Sequence, residues 1–255
     1  MRSICELDNA LSEQTVFSMP PITTEIRTPA EVVEAHANPD VHWLWELREM
    51  RGRVIYGERG GNPIFLSANG TPYDADPFDL QAHHVLLLAA QRIVACARVS
   101  PFDCMKPGYV SSLLGQSRLE AVLRDLGTTP ESSCEATRWC VAPDCRNLGL
   151  GPRVVAAAWA LARSLGMHTA FVFAGIRYGQ DRMLCRMGAL PVKGVATLPG
   201  GAIDDDLRLL YFNVANPPTM IRKKMVQAML IHEATTVTPC ATVAITPESS
   251  RTWLL

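Results

Sequence analysis

Several charged side chains stand where an apolar strand or helix should exclude them. Glu135 and Arg138 lie within the alternating stretch Cys134–Val141, Arg98 ends the apolar run Ile93–Ala97, Asp76 and Asp79 close the loop before that run, and Arg51 interrupts a helical stripe. A buried charge left alone costs several kcal/mol, so such residues must pair with one another. Arg98 and Arg138 against Asp76, Asp79 and Glu135 form a network able to bind and orient a zwitterion. Glu135, at the start of its strand, is a candidate proton acceptor through a water; a structural ion pair with Arg138 or Arg98 accounts for it equally well.

A second chemical element comes directly after the strand. The stretch Arg146-Asn147-Leu148-Gly149-Leu150-Gly151 joins it to the apolar run Pro152–Leu165, whose proline sits in a first helical turn where no N–H is needed. A glycine-rich turn opening a helix presents free backbone N–H groups and the positive end of the helix dipole, so it suits a pyrophosphate or phosphopantetheine phosphate. A Walker loop requires a Lys-Ser/Thr pair where Pro152 and Arg153 stand, and the dinucleotide fingerprint Gly-x-Gly-x-x-Gly is absent. A plain tight turn is the alternative.

With its Arg-x-x-Gly-x-Gly between strand and helix, the chain resembles the GNAT superfamily of acyl-CoA-dependent N-acyltransferases. The order of Arg51, Asp76-x-x-Asp79, Cys-Ala-Arg98 and Glu135-x-Thr-Arg138 is similar to the charged signature of the acyl-homoserine-lactone synthases, and the long-chain N-acyl amino acid synthases share much of this frame. The resemblance spans roughly Trp43 to Val214. It implies a catalytic role for Glu135 and Arg138 and acceptor binding around Arg51, Asp76, Asp79 and Arg98. It also implies a thioester donor, acyl-CoA or acyl carrier protein, held by the loop from Arg146 to Gly151 and by the strand Trp139, Cys140 and Val141. The sequence departs from the family in two places. Gly60, Gly61 and Asn62 stand where the family carries a tryptophan, and the phosphate loop is better formed than the family's usual one.

Amine attack on a thioester needs a neutral nucleophile, a polarised carbonyl and a protonated leaving thiolate. Where the superfamily's acid tyrosine would fall stands Leu184; Tyr178, one and a half turns earlier, is a weak substitute, and the thiolate can leave unassisted. Cys185 lacks a histidine context that would make it a nucleophile. Leu113, Leu114, Leu119, Leu123 and Phe171 fit either an acyl tunnel or ordinary core. The readings are thus an acyl-homoserine-lactone-synthase-like enzyme, an N-acyl amino acid synthase or peptide side-chain acyltransferase, an acetyl-CoA-dependent acetyltransferase, and a silent GNAT-fold binding module.

The elements that position these groups are read from periodicity. Ala30–His36 and Trp43–Tyr56 read as helices, Ala82–Ala89 and Arg92–Val99 as a hairpin turned at Ala90-Gln91, and Ser111–Leu126 as a helix. After the central strand, loop and helix come a buried strand Thr169–Ala174, a basic helix Arg177–Met187 stopped at Gly188, and strands Val192–Leu198 and Leu207–Val214 around Asp204-Asp205-Asp206. This order predicts an α/β GNAT fold with a mixed central sheet of six to seven strands. Residues 1–39 read as an arm, 40–215 as the acyltransferase domain, and 216–255 as a C-terminal extension with an amphipathic helix Thr219–Ile231 and a mobile tail. The basic face of that helix is either solvated or a docking surface for an acyl carrier protein.

Composition limits the alternatives. A formal net charge of −1 argues against a general nucleic-acid partner. No run of about 18 apolar residues suggests a membrane span, and the acidic start lacks a signal-peptide core, so a cytoplasmic protein is expected. The cysteines show no Cys-x-x-Cys spacing; Cys96, Cys134 and Cys140 read as core residues, and the spacing of Cys140, Cys145 and His168 speaks against a metal site.

Overall fold

A computed structural model describes residues 20–57, 65–102, 108–201, 203–219 and 221 of the chain. Strands β1 (Ile22–Arg27), β4 (His83–Ala89), β5 (Arg92–Pro101), β6 (Ser133–Val141), β7 (Thr169–Gly175), β8 (Leu190–Pro191), β9 (Leu198–Pro199) and β10 (Asp206–Asn213) form one mixed sheet. Its order is β1-β4-β5-β6-β7-β10-β8, with β9 also on β10, and β2 (Phe65–Leu66) and β3 (Pro72–Tyr73) make a separate small ribbon. Among the described residues no helix is long and apolar enough to cross a membrane.

The hairpin β4–β5 turns at Ala90 and Gln91, both at positive φ (47° and 67°). Two left-handed residues in succession give the turn whose twist matches paired strands. β7 faces two different cores: Ala170, Val172 and Ala174 belong to the cluster that includes α5 (Leu150–Ser164), whereas Phe171 and Phe173 pack with α3 (Tyr109–Leu114) and α4 (Gln116–Asp125). The sheet is therefore covered on both sides, as the unbroken apolar run of β7 requires.

Four expectations need correction. Residues 22–37, assigned to the arm, supply the edge strand β1, paired with β4 along its whole length, and helix α1 (Pro29–Ala37), whose Val32 and Ala35 enter the core. The helix expected over Ser111–Leu126 is two helices broken at Gly115, where φ is 83°. Of the strand expected over Val192–Leu198 only Leu198 is extended into the sheet, as part of β9; the stretch turns at Gly194 (φ 74°) between the two-residue strands β8 and β9, each ending in a proline that cannot donate to a ladder. The helix α6 (Gln180–Arg186) is shorter than its sequence pattern because Gly179 is left-handed at its start. The expected helix Thr219–Ile231 and the tail lie outside the described residues.

Two departures from regular geometry bear on the chemistry. Helix α2 (Trp43–Gly52) runs on into a π-helical turn, Arg53–Gly57, a form common at functional sites. And β6 meets β7 in parallel only over Ser133–Glu135 opposite Thr169–Phe171; past Glu135 the two strands diverge.

Candidate active site

The charged residues singled out by spacing do converge, and they do so inside the protein. Asp79 is fully buried and receives a bidentate pair from Arg51, Nη1 at 2.8 Å and Nη2 at 2.7 Å. It also takes Arg48 Nε at 3.1 Å and Arg98 Nη1 at 3.0 Å. Arg98 Nη1 lies 2.9 Å from Asp76 as well, and its Nε donates to Thr137 Oγ1 at 2.9 Å. Asp74 binds Arg51 Nε at 2.9 Å, Arg138 Nε at 2.8 Å and the Tyr56 hydroxyl at 3.1 Å. Four arginines thus meet three aspartates, rather than two arginines meeting three carboxylates. Burial alone would raise Asp79, but the charge and hydrogen bonds of Arg51 hold it well below the usual carboxylate range. Burial drives His84, which faces Asp79, down to about 3, so it is neutral.

Arg48 and Asp74 were absent from the sequence-based set. Their signal was present: Arg48 and Arg51 are three apart on one helical face, and Asp74, Asp76 and Asp79 share one loop. Gly52 makes the convergence feasible. A Cβ there would sit 2.2 Å from the Pro72 carbonyl oxygen, so only glycine lets the chain at Pro72–Asp74 cross the helix and deliver Asp74 to the arginines.

Glu135 behaves differently from the expected ion pair. Among the described residues it pairs with no arginine; its oxygens accept the Tyr109 and Val110 backbone N–H groups at 3.1 and 2.8 Å, capping the start of α3. Burial raises its pKa, with Arg98 and the two amides opposing. The raised value suits a proton acceptor, and each oxygen keeps a second lone pair beside the one its amide occupies.

Arg138 is aimed by backbone rather than by sequence alternation. Cys96 stands opposite Cys140 and Arg98 opposite Thr137, so Arg138 and Trp139 together face Ala97 alone. This bulge places Arg138 at φ 54°, a costly conformation for a non-glycine residue. The result turns Arg138 to the aspartates and over the Tyr109 ring at 5.1 Å, and sends Trp139 to the opposite face, beneath the glycine loop. Asp74 and Asp76 hold the arginine charged despite its burial.

Where β6 and β7 part, a cleft opens. It is lined by Ile55 of the π turn, Tyr109, Arg138, Trp139, Phe173 and Asp205, among others. Tyr109 and Asp205 were not among the residues that spacing singled out. Burial raises the Tyr109 pKa, so its hydroxyl keeps its proton. Asp205 accepts the Ile176 and Arg177 amides at 3.1 and 2.8 Å, and its Oδ2 is buried without a hydrogen-bond partner. Tyr178 is exposed and outside this lining.

Through Thr137, Trp139 and Val172 the cleft shares its lining with an apolar cavity beneath α5. Alanines 97, 136, 158, 162 and 170 leave the space, and Trp159, held by an Nε1–H bond to the Val214 carbonyl at 2.9 Å and set edge-on against Phe212, helps to line it. The leucines considered for a tunnel lie elsewhere: Leu114, Leu119, Leu123 and Phe171 form the α3–α4 core, with Leu113 packed against it. They follow the other face of β7, a distinction the period of a fully buried strand does not reveal.

The glycine loop lies at the head of α5. Asn147 and Gly149 are left-handed (φ 65° and 74°), Arg146 to Gly149 are exposed, and the helix starts at Leu150, so the first-turn amides face outward without helical partners. Gly151 lacks the Cβ that would come within 3.2 Å of the Trp139 indole. Loop, cleft and cavity thus meet around Trp139.

This arrangement is a GNAT-type fold. The acetyltransferase (GNAT) domain family matches residues 51–155. Among solved structures, the chain is similar to a CoA-dependent acyl-homoserine lactone synthase, BjaI, bound to SAM and isopentyl-CoA (17% identity, 84% of this chain and 89% of that one, TM-score 0.57). It is similar also to the acyl-homoserine lactone synthase LasI (13%, 79% and 94%, TM-score 0.56). A third likeness is to FeeM, an N-acyl amino acid synthase from uncultured soil microbes (11%, 83% and 98%, TM-score 0.54). No curated protein matches the sequence.

Proposed function

We propose that this protein is a cytoplasmic N-acyltransferase of the acyl-homoserine-lactone-synthase type, moving an acyl group from a phosphopantetheine thioester to the amino group of a small amino-acid-like acceptor. The observation that carries the reading is the meeting of three compartments around Trp139: the glycine loop, the cleft between β6 and β7, and the apolar cavity beneath α5. The loop from Arg146 to Gly151 takes the donor's phosphate, Trp139, Cys140 and Val141 bind the pantetheine arm with strand amides that β7 leaves unpaired, and the cavity receives the acyl chain. Arg51, Asp76, Asp79 and Arg98 act as the rigid wall of the acceptor pocket, since each is ion-paired within the network, and Arg98 Nη2 is buried without a hydrogen-bond partner.

In the reaction the acceptor ammonium loses a proton, its nitrogen forms the amide bond to the acyl carbon, and the carbon–sulfur bond breaks to release the thiolate. Glu135 takes the ammonium proton through a water, and Arg138 sets the electrostatics of the cleft. Tyr109, which lines the cleft and keeps its proton, is the candidate proton donor to the thiolate in place of the tyrosine the family would put at Leu184. CoA as donor is favoured by the CoA-dependent synthases the chain resembles; an acyl carrier protein is the second donor to try.

The test is thiol release from acetyl-, hexanoyl- and decanoyl-CoA with S-adenosylmethionine or amino acids as acceptors, with products identified by mass spectrometry, for wild type and Arg138→Ala. Acyl-homoserine lactones made by wild type alone support the proposal. Open-chain N-acyl amino acids would move the enzyme to the synthase of that kind, consistent with Gly60, Gly61 and Asn62 replacing the family's tryptophan. Transfer from acetyl-CoA alone would make it a plain acetyltransferase, and CoA binding without any thiol release would make it a silent module.

A further inference from the structure

Between α1 and the first turns of α2 lies a second cavity, of about 430 Å³, that shares no lining residue with the cleft or with the apolar cavity. Its walls include His36, Asn38, His42, Trp45, Arg48 and Tyr73, and none of its lining residues is acidic. Arg48 is only 6% exposed, yet it is the least neutralised of the four network arginines. Its carboxylate, Asp79, is also bound bidentately by Arg51 and contacted by Arg98. Three guanidiniums therefore share one carboxylate at this end. The other acids are committed elsewhere: Asp74 and Asp76 to Arg51, Arg98 and Arg138, and Glu135 to the α3 amides. His36 cannot supply the missing charge. It lies with Nδ1 3.5 Å from Arg48 Nη1, and burial together with that arginine lowers its pKa.

A buried guanidinium with a fractional share of a counter-ion, opening into an acid-free cavity, calls for an anion. The remaining walls say what kind. Trp45 is 45% exposed, and it and Tyr73 offer aromatic surface, while Asn38 and His42 offer hydrogen bonds at the mouth. We propose that this cavity is a binding site for a small aromatic carboxylate, the carboxylate pairing with Arg48 and the ring packing against Trp45 and Tyr73. The site goes beyond the acyl-transfer reading and stands independently of it. Planar bidentate recognition of a carboxylate is the chemistry at which arginine excels.

The experiment is calorimetric titration of the full chain with benzoate, with neutral benzamide and with acetate, on wild type and on Trp45→Ala, His42→Ala and Arg48→Lys. Trp45 and His42 are exposed, so their variants keep the fold; Arg48→Lys keeps the charge and loses the planar fork. The expected result is that benzoate binds wild type at least about tenfold more tightly than benzamide or acetate, and that Trp45→Ala and Arg48→Lys each weaken benzoate by about tenfold, the equivalent of one lost specific contact. His42→Ala is expected to weaken it about threefold or less. Desulfo-CoA binding at the other site should be unchanged in Trp45→Ala. Absence of benzoate binding, equal binding of benzamide or acetate, or undiminished binding by both Trp45→Ala and Arg48→Lys would overturn the proposal.

Discussion

Arg138 and Asp74 are 64 residues apart in sequence and 2.8 Å apart in space, joining the central strand to a loop that only a glycine, Gly52, lets past the helix. Removing one partner of such a buried pair strands the other charge. Asp74→Ala should therefore cost about 3–5 kcal/mol. Urea denaturation of the two proteins measures it; a loss below about 1 kcal/mol would mean the pair is as inconsequential as a surface ion pair.

The passage at Gly52 is itself testable by contrast. Gly52→Ala puts a methyl group against the Pro72 carbonyl, whereas a Cβ at Gly57 meets nothing within 4 Å. Overpacking predicts a loss of about 1–3 kcal/mol for the first and little change for the second. The first variant should also lose acyl transfer, because Asp74 no longer reaches Arg138.

The phosphate loop offers a cleaner separation of charge from shape. Gly149 is left-handed, a conformation that asparagine and aspartate both tolerate better than other side chains. Gly149→Asn should bind desulfo-CoA nearly as wild type does, while Gly149→Asp should bind at least about tenfold more weakly through repulsion at the helix head. Equal affinities in the two variants would remove the phosphate from this loop.

Trp159 sets a prediction about acyl length. Trp159→Ala opens the cavity beneath α5 and should move the preferred donor toward longer chains, at a stability cost of about 3–5 kcal/mol. Competition between hexanoyl- and decanoyl-CoA, read by mass spectrometry, gives the ratio; an unchanged ratio would place the chain elsewhere.

Acid should weaken the fold through His84. Its pKa is pushed down to about 3 in the folded chain by burial, against an ordinary value of 6.5, so below pH 6.5 the unfolded chain takes up a proton that the folded chain refuses. Stability from this group is complete above that value and declines as the pH falls toward 3, by up to about 1.4 kcal/mol per pH unit. Asp79, held well below its usual range, adds a loss in the same direction at still lower pH. Urea midpoints between pH 7 and 4.5 should fall for wild type and fall less for His84→Gln.

What the sequence revealed and what it concealed have physical causes. The turn at Ala90-Gln91, the glycine loop and the buried strand β7 were legible because each depends on neighbours a few residues away. β1 was not, since Ile22–Arg27 is held by its ladder to β4 rather than by its own short alternation. The charged signature named Arg51, Asp76, Asp79, Arg98 and Arg138 correctly as one cluster but missed Arg48 and Asp74, whose local setting reads as a solvated helix face and a polar turn. Glu135 was placed in the ion network on charge alone; its actual partners are the amides of Tyr109 and Val110, and backbone donors leave no mark in a pattern of residue types. Leu113, Leu114, Leu119, Leu123 and Phe171 fitted a tunnel or ordinary core alike because a strand buried on both sides shows no alternation; they form core on the face of β7 away from the cavity beneath α5.

The parallel seam of β6 and β7 spans three residues on each strand, and it is the one junction between β1-β4-β5-β6 and β7-β10-β8 in the sheet order. The sheet is thus mechanically two plates stitched at one end. Prising the free ends apart breaks no rung of the ladder, and the gap can widen as far as the apolar cluster that runs across both plates beneath α5 yields. Compliance resides in the stitch, and the rigid charged cluster rides wholly on one plate and the segments packed against it.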